Sequence, residues 1–242
     1  MPTISIAHPH RRAIAPSVPH SAVLRDTFLM FGIGSSLLYI VANVMVPMQS
    51  PGYSVASQTV SELSAIGAPT RPLWIALVVP YSLLLATFGI GVWISGRHSR
   101  PLRIAGGLLV AHGLFSLAWP PMHQRTVLAT GGGTLTDTLH IAWTVVTVML
   151  MFSAIGSSAM ALGTRFRIYS IVSVIVLLAF GSLTGMDSPA LQADLPTPLI
   201  GVWERISIGA FMVWVAVLAT TLLRTRASSL IPGSPERRRH RT

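Results

Sequence analysis

Seven polar residues of this chain belong to types that carry out acid–base, nucleophilic or metal chemistry. They are Ser61, Glu62, His123, Asp137, His140, Glu204 and Arg205. A serine can act as a nucleophile, and a glutamate can act as a general base. Histidine and aspartate bind divalent metals, and arginine holds phosphate or carboxylate groups. Their value as a site depends on whether the fold brings them to one place.

Two histidines and an aspartate lie around a predicted break between two apolar stretches. His123 follows the sequence "AWPP", and "TDTLHIAW" places Asp137 and His140 three residues apart, on one face of a predicted helix. The three side chains would suit Zn²⁺, with a coordination position left for water. The alternative is that Asp137 caps the helix and His140 lies at the membrane interface. The spacing leaves both interpretations open.

Glu204 and Arg205 lie inside an apolar stretch, in the sequence "GVWERISIGAF". Ionisable groups at such positions are costly, and they usually face a cavity or a charged partner. The carboxylate could act as a base, and the guanidinium could hold a phosphate. The alternative is a structural ion pair. Because Arg205 is the most embedded basic residue on its side, we expect Glu62 to reach it, or to reach His140.

The composition identifies the setting of these residues as a membrane. The chain has 242 residues, of which 51% are hydrophobic and only 10% are charged, whereas soluble domains have about 25% charged residues. Cysteine is absent, which excludes disulfides, a thiolate nucleophile and cysteine-bound metals. The fold class we expect is an all-α integral membrane protein, of multi-pass type, in the cell (inner) membrane.

Six stretches are long and apolar enough to cross a bilayer of about 30 Å as helices. They run approximately from Thr27–Pro47, Leu73–Ser95, Leu102–Trp119, Thr138–Leu162, Phe166–Met186 and Leu199–Leu223. The sequence therefore predicts a bundle of six transmembrane helices over residues 27–223. The flanking segments, 1–26 and 224–242, are basic and lack an apolar pattern, and we expect both to be disordered tails.

The basic residues predict how the bundle is oriented. All 17 are arginines, and most lie in the two tails or in the short turns between the second and third and the fourth and fifth spans. By the positive-inside rule these parts face the cytoplasm, so both termini are cytoplasmic. The net charge of +10 is thus explained without nucleic acid. The expected partners are membrane lipids, and a homo-oligomer is left open.

The stretch "TVSELSAIGAPTRPLW", from Thr59 to Trp74, then falls in the outer loop between the first two spans. It predicts a short amphipathic helix, capped by Ser57 or Thr59, with Glu62 in its first turn. Its apolar stripe would consist of Val60, Leu63 and Ile66. Such a helix would cover the mouth of the bundle, and the alternative is that Glu62 only completes the cap.

A central histidine, His112 in "LVAHGLF", lies far from these loops. We interpret it as a packed, hydrogen-bonded residue rather than a haem ligand, because it has no obvious partner.

Several of these segments resemble a known family of uncharacterised membrane proteins. "TVSELSAIGAPTRPLW", the proline-containing end of the third span, "DTLH" and "WERI" together resemble the DUF998 family, over roughly residues 27–223. The resemblance implies a multispan membrane protein and no assigned activity. It points to Ser61, Glu62, His140, Glu204 and Arg205, whereas "PPMHQR" departs from the aromatic-Pro-polar run expected at His123.

Two functions from different classes remain open on the sequence. The first is a metal-assisted intramembrane hydrolase of a lipid or lipid-linked substrate, with Ser61 as a further nucleophile option although no Gly-x-Ser-x-Gly elbow accompanies it. The second is a non-enzymatic lipid-binding, sensing or accessory protein whose polar groups form a structural network. A transporter is less favoured, since no inverted repeat is present.

Overall fold

The computed structural model of the protein describes residues 20–230, and its regular elements in this range are helices. They are α1 (His20–Met45), α2 (Arg71–Ser95), α3 (Arg100–Ser116), α4 (Arg125–Ala129), α5 (Leu135–Ala161), α6 (Thr164–Gln192) and α7 (Ile200–Leu230). Short 3₁₀ helices occupy Pro47–Gln49 and Ser61–Ser64. One isolated parallel β-bridge joins Ile66 to His123. The all-α fold class is therefore confirmed.

Five of the helices, α1, α2, α5, α6 and α7, are long and apolar enough to cross a membrane. The chain is therefore a multi-pass membrane protein. The sixth predicted span corresponds to α3, which has 17 residues and ends at Ser116. At 1.5 Å per residue this helix is about 26 Å long, slightly less than the hydrocarbon thickness of about 30 Å. The six-span count and the cytoplasmic termini remain predictions.

The six long helices form a closed ring in which each packs against its neighbours in the chain. The order is α1, α2, α3, α5, α6 and α7, and α7 closes the ring against α1. Large apolar side chains fill its interior, among them Leu29, Phe88, Phe211 and Trp214, all fully buried. Apolar side chains also cover the outer surface, for example Leu37, Met149, Ile171 and Ile175. An apolar exterior around a packed interior suits a lipid environment.

The helices α2 and α3 approach each other until their backbones touch. A Cβ atom on Gly113 would lie 2.6 Å from the Ala86 nitrogen, and one on Gly106 would lie 2.5 Å from the Trp93 nitrogen. Small residues allow such approaches between membrane helices, where dispersion contacts replace the hydrophobic effect as the driving force. The glycines therefore fix α3 in the ring although it is the shortest of the six helices.

At one end of the ring, an arginine of α1 is hydrogen-bonded to the two neighbouring helices, α2 and α7. Arg25 in α1 donates hydrogen bonds to the Ser95 hydroxyl, at 2.9 Å, and to the Leu222 carbonyl of α7, at 2.8 Å. We call this the arginine end. These bonds support the first turns of α1, which begins at His20 rather than at the predicted Thr27, and α7 continues to Leu230. The predicted disordered tails, 1–26 and 224–242, stay predictions, and their segments 1–19 and 231–242 lie outside the described residues.

The opposite end is covered by three connecting segments, residues 46–70, 117–134 and 193–199, which together form what we call the cap. The predicted amphipathic helix is here a single 3₁₀ turn, Ser61–Ser64. Val60 and Leu63 are buried as expected, whereas Ile66 is 38% exposed. The Ile66 N–H donates to the Met122 carbonyl at 2.8 Å. Ile66 follows the short turn, and its backbone bond to Met122 could not be predicted from the apolar stripe.

Candidate functional site

A cavity of about 240 Å³ lies inside the ring beneath the cap. All six ring helices contribute to its wall, mostly with aromatic and aliphatic side chains such as Tyr39, Trp74, Trp143 and Met151. Three residues predicted as catalytic, Ser61, His140 and Glu204, also line it. The fold thus brings these three residues, which come from a loop and two different helices, to one apolar chamber.

Ser61 and His140 form a hydrogen-bonded pair at the cap end of this chamber. The His140 Nε2 lies 3.2 Å from the Ser61 hydroxyl, and the His140 Nδ1 lies 2.6 Å from the Pro120 carbonyl oxygen. Because a carbonyl can only accept, Nδ1 carries a proton. In the neutral ring Nε2 is then an acceptor for the single Ser61 O–H proton, for which the Glu204 carboxylate is the second acceptor. A histidine oriented in this way can take the serine proton.

Pro120 supplies the orienting carbonyl because of local sequence. Trp119, Pro120 and Pro121 follow the end of α3, and Pro121 has no backbone N–H and disfavours a helical conformation at Pro120. Because Pro120 is not part of a helix, its carbonyl receives no hydrogen bond from a helical N–H. It accepts one from His140 instead. Nothing in the residue types alone identifies a main-chain oxygen as the histidine's partner, so the sequence does not predict it.

Glu204 lies in the first turns of α7 and reaches the backbone beside the serine. One of its carboxylate oxygens accepts a hydrogen bond from the Val60 N–H, and the carboxylate also interacts with the Ser61 hydroxyl. Glu204 therefore fixes the 3₁₀ turn that presents Ser61 to the cavity. In this geometry it is a positioning residue.

Glu62 points away from the cavity and pairs with Arg125. The guanidinium Nε and Nη2 lie 2.8 and 3.0 Å from the two carboxylate oxygens, an arrangement with two parallel bonds. The Thr59 N–H adds a third bond at 2.7 Å. The hydrogen bonds that Arg125 donates to Glu62 raise the pKa of Arg125 above its ordinary value. The expectation that Glu62 reaches Arg205 or His140 is therefore wrong.

Arg125 was absent from the candidate set, although it is one of only three arginines predicted on this side. It also donates to the Ser57 carbonyl at 3.2 Å and to the Thr197 hydroxyl at 3.3 Å. These contacts connect all three segments of the cap. Glu62 and Arg125 line a second, polar cavity of about 350 Å³ in the cap, separate from the chamber of Ser61 and His140.

Arg205 binds residues 53–58, in the connection between α1 and α2, and it does not line the main cavity. It donates to the Val55 and Gln58 carbonyls at 2.9 and 3.1 Å, and to the Tyr53 hydroxyl at 2.7 Å. Burial raises the pKa of this phenol to about 12, although the guanidinium opposes the shift. A Cβ atom on Gly201 would lie 2.2 Å from the Gln58 carbonyl, so only glycine admits the loop here.

The predicted metal ligands are not grouped around a common point. The Asp137 carboxylate accepts hydrogen bonds from the His123 N–H at 2.7 Å and from the Thr134 N–H at 2.8 Å, and contacts the His123 ring at 2.9 Å. These bonds cap the start of α5, while His140 faces Ser61 instead. Within residues 20–230 no three His, Cys, Asp or Glu side chains are arranged to hold a metal.

The ring is packed most loosely between α5 and α6. These two helices pack against each other less extensively than any other neighbouring pair in the ring. Thr144 of α5 and Gly181 of α6 line the cavity and are exposed at the same time. This loosely packed boundary, which we call the opening between α5 and α6, therefore brings the chamber next to the apolar outer surface, in the half that lies nearer the cap.

The comparisons with known proteins identify one family. No curated protein and no solved structure matches the chain. The profile of one family, described as "Protein of unknown function (DUF998)", matches residues 33–221, which includes the cap, the cavity and parts of all six ring helices. Since this match covers well over half of the sequence, the chain belongs to the DUF998 family.

Proposed function

We propose that this protein is an intramembrane serine hydrolase that cleaves an ester bond of a lipid. The observation that carries the proposal is the Ser61–His140 hydrogen bond of 3.2 Å at the end of an apolar cavity. It is supported by the Pro120 carbonyl, which leaves Nε2 of the histidine free to accept the serine proton. A serine, a histidine and a group that orients the histidine are the minimum set for nucleophilic catalysis.

The reaction would proceed in two steps. As the Ser61 oxygen forms a bond with the ester carbonyl carbon, its proton passes to the His140 Nε2. The carbon–alkoxide bond then breaks, the alcohol leaves with that proton, and an acyl-serine remains. Water, deprotonated by the same Nε2, attacks the acyl-serine and releases the carboxylic acid and the free serine. The Pro120 carbonyl stabilises the histidine while it is positively charged.

The setting of the pair favours a lipid substrate. The cavity is lined by apolar side chains, so an acyl chain gains free energy by entering it. The opening between α5 and α6 faces the apolar outer surface, from which a lipid could enter sideways. A soluble substrate would instead have to pass the cap, where the polar groups are bonded to one another.

Covalent labelling tests the proposal directly. Purified protein in lipid nanodiscs is treated with an alkyl fluorophosphonate, which phosphonylates activated serines, and the modified peptide is identified by mass spectrometry. We expect the label on Ser61, and we expect Ser61→Ala and His140→Gln to abolish it, since general-base assistance contributes about 10²–10⁴-fold in rate.

Ser116→Ala is the matched control. Ser116 lines the same cavity, but its hydroxyl donates to the His112 carbonyl at 2.8 Å and has no histidine to activate it. This variant should be labelled at Ser61 at the rate of the unmodified protein. Folded protein that takes no label at Ser61, or equal labelling of the His140→Gln variant, would refute the serine hydrolase.

The second candidate is a lipid-binding protein without catalysis. It is favoured by the many polar groups in and beside the cap that make structural contacts, including Glu62, Arg125, Asp137 and Arg205. This candidate predicts that the protein retains lipid in the cavity and that Ser61→Ala leaves lipid binding unchanged. The same nanodisc preparation distinguishes the two functions, because only the hydrolase reacts with the fluorophosphonate.

A further inference from the structure

Two polar atoms deep in the cavity have no hydrogen-bond partner. The His112 Nδ1 and the Thr147 Oγ1 are buried and unpaired, and both residues line the chamber that contains Ser61. His112 is 2% exposed and Thr147 is 8% exposed. A buried polar group without a partner costs free energy, so proteins retain such groups mainly where something else satisfies them. The packing of His112 agrees with the sequence interpretation, but its Nδ1 lacks the expected hydrogen bond.

Thr147 differs from the hydroxyl residues around it. Most buried serines and threonines of these helices donate to a carbonyl one turn earlier, as Ser82 does to Val78 and Ser158 does to Ala154. Thr144, one turn before Thr147 on the same helix, bonds to the His140 carbonyl at 2.9 Å. Thr147 makes no such bond. Its hydroxyl is thus available to a ligand in the cavity.

The depth of these atoms relative to the proposed nucleophile follows from helix geometry. Thr147 lies seven residues beyond His140 on α5, which is about 10 Å along the axis at 1.5 Å per residue. His112 lies on the neighbouring helix α3, one turn before Ser116, which also lines the cavity. The ring of His112 packs at 5.3 Å from Phe211, and this contact holds it in the wall.

We propose that the cavity binds an acyl chain that carries a hydroxyl group part of the way along its length. The chain would lie with its ester carbonyl at Ser61 and its hydroxyl between His112 and Thr147. This assignment rests on the proposed function for the position of the ester. A hydroxyl fits because it both donates and accepts, and so it satisfies the Nδ1 atom in either tautomer together with the Thr147 hydroxyl. An unsubstituted chain leaves both atoms unpaired.

Binding is measured on the Ser61→Ala protein in nanodiscs, so that no ester is turned over. The probes are methyl esters of one fatty acid, either unsubstituted or with a single hydroxyl placed at successive positions, and native mass spectrometry gives the bound fraction. We expect one hydroxyl position to bind about tenfold more tightly than the unsubstituted chain, the gain from one or two buried hydrogen bonds.

Two further substitutions in this background locate the effect. Thr147→Val keeps the shape of the side chain, and His112→Phe keeps an aromatic ring beside Phe211. Each should reduce the tenfold preference to about threefold or less, because one of the two hydrogen bonds is lost, and should leave binding of the unsubstituted ester unchanged. Should His112→Phe fail to fold, Thr147→Val decides alone, because it removes only the hydroxyl.

Equal binding of all probes by the parent protein would overturn the proposal, since it would mean that water satisfies both atoms. A preference that survives Thr147→Val undiminished would overturn it as well. Failure of the hydrolase gives a different result. Ser61 would then resist the fluorophosphonate while the preference for the hydroxylated ester persisted, which would describe a selective lipid-binding protein.

Discussion

At the scale of residues, the polar groups at the cap divide into two sets. Ser61 and His140 face the apolar chamber and are bonded to each other. Glu62, Arg125 and Arg205 are bonded within the cap, because a charge near the membrane interface must be paired or hydrogen-bonded to be tolerated. The proposed chemistry therefore belongs to the Ser61–His140 pair, whereas the contacts of the charged residues are with the cap itself.

The Glu62–Arg125 contact predicts strong coupling between the two positions. Glu62→Gln and Arg125→Gln should each lower the thermal unfolding temperature in detergent, because each leaves a largely buried charge unpaired. Since the first loss already removes the interaction, the double variant should be less damaged than the sum, with a coupling of about 2 kcal/mol.

Arg205 provides the control for this cycle. It binds the Val55 and Gln58 carbonyls and makes no direct contact with Glu62. The changes in unfolding free energy caused by Glu62→Gln and Arg205→Gln should therefore be closer to additive than the changes for Glu62→Gln and Arg125→Gln. Additive effects for Glu62 and Arg125 would contradict the assigned pair.

Residue types predicted the candidates but not their partners. The apolar pattern placed Ser61, His140 and Glu204 at one end of the bundle, and in the structure these three line one cavity. The choice between Arg125 and Arg205 for Glu62 depends on how two loops fold over each other. Counting the charged residues on one side of the membrane does not show which of them pair with each other.

At the scale of elements, the long helices could be predicted from the length of the apolar stretches, whereas the conformation of the cap could not. Five predicted spans correspond to helices that can cross a membrane, since about 20 apolar residues can satisfy their backbone in lipid only by forming a helix. The segment around Glu62 was predicted as a regular helix and is a four-residue 3₁₀ turn. Its conformation is set by bonds to Glu204, Arg125 and Met122, which are distant in sequence.

The α2–α3 contact predicts a specific sensitivity to one added methyl group. Gly113→Ala and Gly106→Ala should each lower stability by about 2 kcal/mol or more, because the new Cβ would overlap backbone atoms of α2. Thermal unfolding in detergent measures the effect.

Gly34→Ala is the matched control in another helix. A Cβ atom at Gly34 would meet no atom within 4 Å, so this variant should be unchanged or slightly more stable, since alanine favours helices. Equal tolerance at Gly34, Gly106 and Gly113 would show that α3 packs less closely than the structure indicates.

At the scale of the whole molecule, the ring has two chemically different ends. Arg25 joins the ends of α1, α2 and α7 at one, and the cap with the serine–histidine pair closes the other. With the positive-inside rule, this arrangement predicts that the cap faces the outside of the cell membrane. The structure shows which helix ends lie together, and the distribution of arginines predicts which of the two ends faces the cytoplasm.

Cysteine labelling tests the orientation with single substitutions and no background labelling, because the chain has no cysteine of its own. A cysteine at Thr130, exposed in the cap, should react in intact cells with a membrane-impermeant maleimide. A cysteine at His98, exposed in the turn between α2 and α3, should react only after the cells are broken. The opposite pattern, or labelling of both positions in intact cells, would reverse the topology or remove α3 as a span.

Under the proposed hydrolysis, the gap between α5 and α6 would determine which substrate concentration sets the rate. A lipid that enters through this gap arrives by two-dimensional diffusion within one leaflet, and it never crosses bulk water. The rate of turnover should then follow the mole fraction of substrate in the bilayer. Diluting the vesicles in buffer should leave that rate per protein unchanged, whereas diluting the substrate with inert phospholipid should lower it. For this molecule the membrane itself is the solvent in which saturation is measured.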